Sequence, residues 1–125
     1  MIDGTFPKLT ELLIGFNTIK NIEAVVVASR NGINMGSSVP PKVNPDTLAA
    51  MCSALQNAAD FLMKNIKNST ADRVVIECER DKIIIVNAGE KALLIVLTGE
   101  KSALGPLFME LKILSRQVRE LLESD

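Results

Sequence analysis

Two segments, Ala24-Val25-Val26-Val27-Ala28 and Ala92-Leu93-Leu94-Ile95-Val96-Leu97, are apolar on both faces. A strand with no polar side has to lie inside a sheet that is covered above and below. The remaining strand candidates are less uniform. Asn31-Gly32 predicts a tight hairpin after Glu23–Ser29, with the type I′ geometry that needs positive φ at both central residues. The returning strand, Ile33 to Ser38, carries Gly36 and polar residues and is followed by Pro40-Pro41, which suits an edge. Arg73 to Glu79 alternates, with Val74, Ile76 and Cys78 facing one way and Arg73, Glu77 and Glu79 the other. Arg80-Asp81 turns it into Lys82–Val86, and Ala88-Gly89-Glu90 turns that into the last strand. Short turns enforce antiparallel pairing. Both-face apolar strands in the middle and polar ones at the rims leave one arrangement, strand order 2-1-5-4-3.

Three helices surround these strands. Thr5 to Lys20 presents Phe6, Leu9, Leu12, Leu13, Phe16 and Ile19 at steps of three and four, with Thr5 as cap and Pro7 in the first turn. The second helix opens on Asn44-Pro45-Asp46 and runs to about Asn65 or Lys67. The third spans about Ala103 to Leu122 and begins in earnest at Pro106. The order α-β-β-α-β-β-β-α is that of an α+β sandwich, one domain over residues 1–125, with helices on both faces of a five-stranded antiparallel sheet.

Little in the chain supports catalysis. It has no histidine, tyrosine or tryptophan, so triads and histidine-based zinc sites are excluded within one chain. Its cysteines, Cys52 and Cys78, are read as small buried hydrophobes. Gly32 and Gly36 are separated by only three residues, no lysine follows, and the turn leads into a strand and not a helix, so they do not make a phosphate loop. Glu77 and Glu79 read as solvent-facing strand residues. None of Arg30, Arg73, Arg80, Arg116 and Arg119 carries a signal marking a catalytic finger. No catalytic, cofactor-binding or metal site is expected. A net charge of −1 without a basic stripe points away from nucleic acid, and the absence of a long apolar run or leader-like start makes the cytoplasm the default and membrane insertion unexpected.

The second helix carries the functional signal. At about 100° per residue, Ser53, Gln56, Asn57, Asp60 and Lys64 gather in a polar arc of roughly 100°, leaving an apolar arc of roughly 220°. That is more than one sheet can cover. Leu48, Met51, Leu55, Ala58 and Leu62 are expected on the sheet, and the flank of Ala50, Ala54 and Phe61 on a second copy. The strand Arg73–Glu79 supports self-association, because a regular, proline-free edge is an open row of hydrogen-bonding groups. Pairing it with its two-fold mate makes Arg73, Val75, Glu77 and Glu79 interface residues, with Arg73 of one copy near Glu79 of the other.

The ordered set of segments resembles the roadblock / dynein light chain family, in particular its bacterial and archaeal members associated with Ras-like GTPases. The segments that carry the resemblance are the initial helix, Glu23–Ser29 with Asn31-Gly32, Leu48–Leu55, Ala88–Leu97 and Ala103–Leu107. Arg30-Asn31-Gly32 stands where Asp-Gly is common, and Pro106 after Gly105 is unusual. The resemblance implies a profilin-like fold and a homodimer with a continuous sheet and paired second helices. It also implies a non-catalytic platform or regulator for a small GTPase, without a cofactor. The arc Ser53, Gln56, Asn57, Asp60 and Lys64 is then the expected docking surface. A ligand-sensing PAS or profilin-like module and a purely structural adaptor are the alternatives.

Overall fold

The computed structural model describes residues 5–19, 21–99 and 103–123; Lys20 and the side chains of Thr5 and Phe6 lie outside the described residues. The elements are α1 (Thr5–Phe16), β1 (Ile22–Ser29), β2 (Asn34–Ser38), α2 (Pro45–Lys67), β3 (Arg73–Glu77), β4 (Lys82–Asn87), β5 (Ala92–Thr98) and α3 (Leu104–Leu122). One five-stranded antiparallel sheet has the order β2-β1-β5-β4-β3, as the strand polarity requires.

β1 and β5 feed both faces alternately. Val25, Val27, Leu94 and Val96 join Leu9 and Leu13 of α1 and Leu107, Leu111, Leu114, Val118 and Leu122 of α3 in the larger core. Val26, Ala28, Leu93 and Ile95 face the other way and form a smaller core with Ala49 and Cys52 of α2. α1 sits so close to β2 that a Cβ on Gly36 would lie 2.9 Å from Leu9 Cδ2.

Four local expectations are corrected. α3 begins at Leu104, two residues ahead of Pro106. α1 ends at Phe16 rather than Lys20, and the chain then reverses through Asn21 at φ 71. There Asn17 Nδ2 donates to Ser38 O and Oγ, both at 3.0 Å, tying the helix end to β2. The first hairpin is not type I′. Gly32 N donates to Ser29 O at 3.0 Å, Ser29 N donates to Ile33 O at 2.8 Å, and Gly32 has φ +90 whereas Asn31 does not have positive φ. This is a type I turn followed by a left-handed glycine, the longer hairpin solution, and it lengthens the loop to Arg30-Asn31-Gly32. β3 stops at Glu77, because Cys78 N turns to donate to Asp81 O at 2.8 Å. Cys78 is therefore exposed, not buried as expected, while Cys52 is buried.

Candidate functional site: the outward face of α2 and the β3 edge

α2 is built firmly at both ends. Asn44 Oδ1 accepts from Asp46 N at 2.9 Å and Thr47 N at 3.2 Å, and Pro45 occupies the first turn, where its missing donor costs nothing. At the other end Asn68 adopts the left-handed conformation at φ 53. Asn68 N donates to Lys64 O and Ser69 N to Met63 O, closing the last carbonyls.

Between these caps the helix is rotated relative to the sequence expectation. Ala49, Cys52, Ser53 and Gln56 are its buried residues, and Gln56 is 0% exposed. Met51 at 64%, Leu55 at 44%, Leu62 at 55%, and exposed Ala58 face outward instead of lying on the sheet; of the residues expected there, only Leu48 packs against the core.

The physical reason lies in backbone groups at one end of the sheet, chiefly the loop carbonyls of Arg30 and Ala71, which the strand ladders leave free, with Ser29 O at the end of β1 beside them. Ser53 Oγ donates to Ser29 O at 3.1 Å, and Asn57 Nδ2 donates to Arg30 O at 3.1 Å. Gln56 Nε2 donates to Ala71 O at 3.0 Å and to Asp60 Oδ1 at 3.2 Å, while Asp60 Oδ1 accepts from Ala71 N at 2.9 Å. Asn87 Nδ2 adds a 3.4 Å contact to Ala71 O. Arg30 closes the network. It stands 3.8 Å from Asp60 Oδ2 and donates to Gly89 O at 3.0 Å and Glu90 O at 3.2 Å. An unpaired carbonyl costs up to about 1–3 kcal/mol when fully buried, and Ser53, Gln56 and Asn57 satisfy several partly buried ones together, enough to match the burial of a leucine at about 1.5–3 kcal/mol. Gln56 Oε1 and Asn87 Oδ1 receive no hydrogen bond among the described residues.

The expected docking arc is thus split. Ser53 and Gln56 are buried and Asp60 is half-buried in the network, whereas Asn57 and Lys64 are exposed. Ala50, Ala54 and Phe61 are exposed, Phe61 by 72%, and Ile66 extends the apolar ridge at 63%. On the neighbouring edge Arg73 and Glu77 are exposed and Val75 is half-buried; Glu79 lies beyond the strand end. Sequence reasoning missed Met51, Leu55, Leu62 and Ile66 as surface residues. The pattern carried no signal for them: Ser53, Gln56 and Asp60 recur at steps of three and four, which fits an outward polar face as well as an inward one.

Burial holds the Cys52 thiol above its ordinary pKa, so the site offers no poised nucleophile there. Among the described residues no cluster of three or more His, Cys, Asp or Glu side chains is arranged to hold a metal. No helix among them is long and apolar enough to cross a membrane.

The family model for the Roadblock/LC7 domain matches residues 8–98, from α1 through β5. The chain belongs to the Roadblock/LC7 family. A Roadblock/LC7 chain of this kind is similar to an uncharacterized protein of Methanocaldococcus jannaschii, MJ1340, with 28% identity over 113 residues, 90% of this chain and 98% of the relative. Among solved structures it is similar to MglB with a tetrameric arrangement, at TM-score 0.90 and 22% identity over 99% of this chain and 94% of that one. It is also similar to the gliding protein MglB of Thermus thermophilus, at TM-score 0.89 and 22% identity over 100% and 96% of the two chains. These likenesses show the roadblock/profilin-like α+β fold, and they extend through α3, beyond the matched family segment.

Proposed function

We infer that this Roadblock/LC7 chain is a non-catalytic homodimeric scaffold that binds a Ras-like small GTPase and biases its nucleotide state or assembly. The observation that carries the reading is the apolar ridge Met51, Leu55, Phe61, Leu62 and Ile66 on α2, each side chain 44–72% exposed in the single chain. Burying such a side chain completely is worth about 1.5–3 kcal/mol, so a second α2 laid against the first gains stability that water denies. Ala50, Ala54 and Ala58 allow the two helices to approach closely.

The β3 edge completes the dimer. A two-fold axis at Val75 joins the two sheets and sets Arg73 of one copy opposite Glu77 of the other, twice, on the same face. The pairing of Arg73 with Glu79 expected from the sequence gives way to this one because the strand ends at Glu77.

The GTPase docks on the α2 side, over exposed Asn57 and Lys64. Regulation follows if the bound switch segment is held in one of its conformations, since only differential affinity shifts an equilibrium. The GTPase role rests on family membership together with this exposed helix face. Light scattering with refractive-index detection tests the first half, with a mass of two chains expected. Mixing with purified Ras-like GTPases from the same genome tests the second. Co-elution with a changed rate of hydrolysis or nucleotide exchange supports it. A persistent monomer, or a dimer that leaves every such GTPase unbound, overturns it.

A further inference from the structure

On the face opposite α2, a cleft runs between α3 and the sheet end made by β3, β4 and the β4–β5 turn. It consists of two adjoining hollows of about 240 Å3 each that share Asn87, Lys112 and Ser115. Lys112, Arg116 and Arg119, at i, i+4 and i+7 on α3, line its length. Arg73 closes the β3 end, with its guanidinium 4.1 Å from the centroid of the Phe108 ring. Asp72 is the acid on the lining, and Glu123 stands beside Arg119 at the other end.

Lys112 and Arg116 stand on the cleft with no acid among its lining residues on α3, while Arg119 has Glu123 nearby and Arg73 is taken up, in the dimer proposed above, at the β3 edge by Glu77 of a second copy. Among the described residues the salt bridge present is Arg30–Asp60, and none includes Arg73, Lys112, Arg116 or Arg119. Like charges one turn apart on a helix repel, so this face carries a cost in the free protein that an anion relieves. The arrangement is also held in place. Gly89 has φ +85, and a Cβ there would lie 2.5 Å from Glu123 Oε2, 2.6 Å from Arg119 Cγ and 3.1 Å from its Cδ, so an acid shares this end of the cleft with Arg119. The stem of Arg119 rests on bare glycine backbone.

We propose that this cleft binds an acidic peptide segment in an extended conformation, with carboxylates at alternate residues. The spacing selects this ligand. Lys112 to Arg119 covers about 10 Å at 1.5 Å per helical residue, too far for one phosphate to bridge. Same-face side chains of an extended strand recur every ~6.6 Å, close to the ~6 Å between Lys112 and Arg116. The cations line a concave cleft, which a peptide enters and a flat lipid surface does not. The site lies apart from α2 and does not depend on the GTPase reading.

The test is fluorescence anisotropy of a fluorescein-labelled peptide of alternating glutamate and alanine, with its glutamine counterpart, at about 0.15 M salt. The glutamate peptide is expected to bind at least tenfold more tightly than the glutamine peptide. Lys112→Glu/Arg116→Glu should weaken it tenfold or more. Lys8→Glu/Lys42→Glu, the same change in net charge at exposed positions elsewhere, should change it less than twofold. A single Arg119→Gln exchange, which removes charge without reversing it, should weaken it severalfold. Equal losses in the two double variants would reduce the effect to net charge and overturn the proposal, as would failure of the glutamate peptide to bind. Capture by phosphatidylserine vesicles that disappears in Lys112→Glu/Arg116→Glu would assign the cleft to a membrane surface instead.

Discussion

Phe61→Ala isolates the claim that the α2 ridge is a protein-protein seam. Phe61 is 72% exposed in the single chain, so most of its ring is available to be covered by a second copy. Full burial of such a side chain is worth about 1.5–3 kcal/mol, so the available fraction contributes roughly 1–2 kcal/mol per copy. A two-fold dimer loses it twice, about 2–4 kcal/mol, which is roughly 30- to 1,000-fold in the dissociation constant. The fold of the single chain should barely notice, because exposed substitutions usually stay within about 0.5 kcal/mol. Sedimentation velocity across a dilution series reads the effect directly. Interference optics are required because the chain has neither tryptophan nor tyrosine. A variant that dissociates within threefold of the parent takes Phe61 out of the seam. A parent that sediments as a 13.6 kDa species at every concentration refutes the ridge argument as a whole.

Arg73→Glu and Glu77→Arg should each weaken the dimer, and the double exchange should restore it, because the charges oppose each other twice across the axis; exposed pairs of this kind are worth about 0.2–1 kcal/mol each. A double variant as weak as the singles removes the Val75 axis. Gln56→Ala should cost about 1–3 kcal/mol in chemical denaturation, because it strips Ala71 O and Asp60 of a donor in a site that is 0% exposed; a surface glutamine would cost almost nothing. Gly15→Ala should stabilise by about 0.5–1 kcal/mol, since the position lies within α1 and a Cβ there meets nothing within 4 Å. Under native conditions an alkylating reagent should modify exposed Cys78 and spare buried Cys52, as mass spectrometry of the peptides will read. Because burial raises the Cys52 pKa, the unfolded chain gives up its proton first. That stability is whole below the ordinary thiol range and falls as pH climbs through it, which denaturation at pH 8 and pH 10 compares.

The sheet was legible because its rules are local and short-ranged. Val25–Val27 and Leu93–Leu97 have no polar side to show water, and the turns between strands are too short for anything but antiparallel returns. The caps of α2 were legible for the same reason, since Asn44 and Pro45 act on their immediate neighbours. The rotation of α2 was not. Its apolar arc is wide enough to satisfy the sheet in more than one orientation, and the choice is made by Ser29 O, Arg30 O and Ala71, which are distant in sequence. Hydrophobic patterning weighs side chains and is blind to backbone carbonyls that a fold leaves without partners. The hairpin loop failed more simply: Asn-Gly fits either of two turn lengths, and packing against α2, where a Cβ on Gly32 would lie 3.2 Å from Ala50 Cα, favours the longer one.

The knot of polar contacts around Ala71 and Asp60 makes one end of the molecule mechanically stiff. Helix, hairpin tip and the β4–β5 turn are lashed together there through Arg30, so a load applied to any of them is shared by all three. The β4–β5 turn that Arg30 holds also carries Gly89, against which the stem of Arg119 lies on the far face, so this corner is where the two layers of helices come within one chain of contacts of each other.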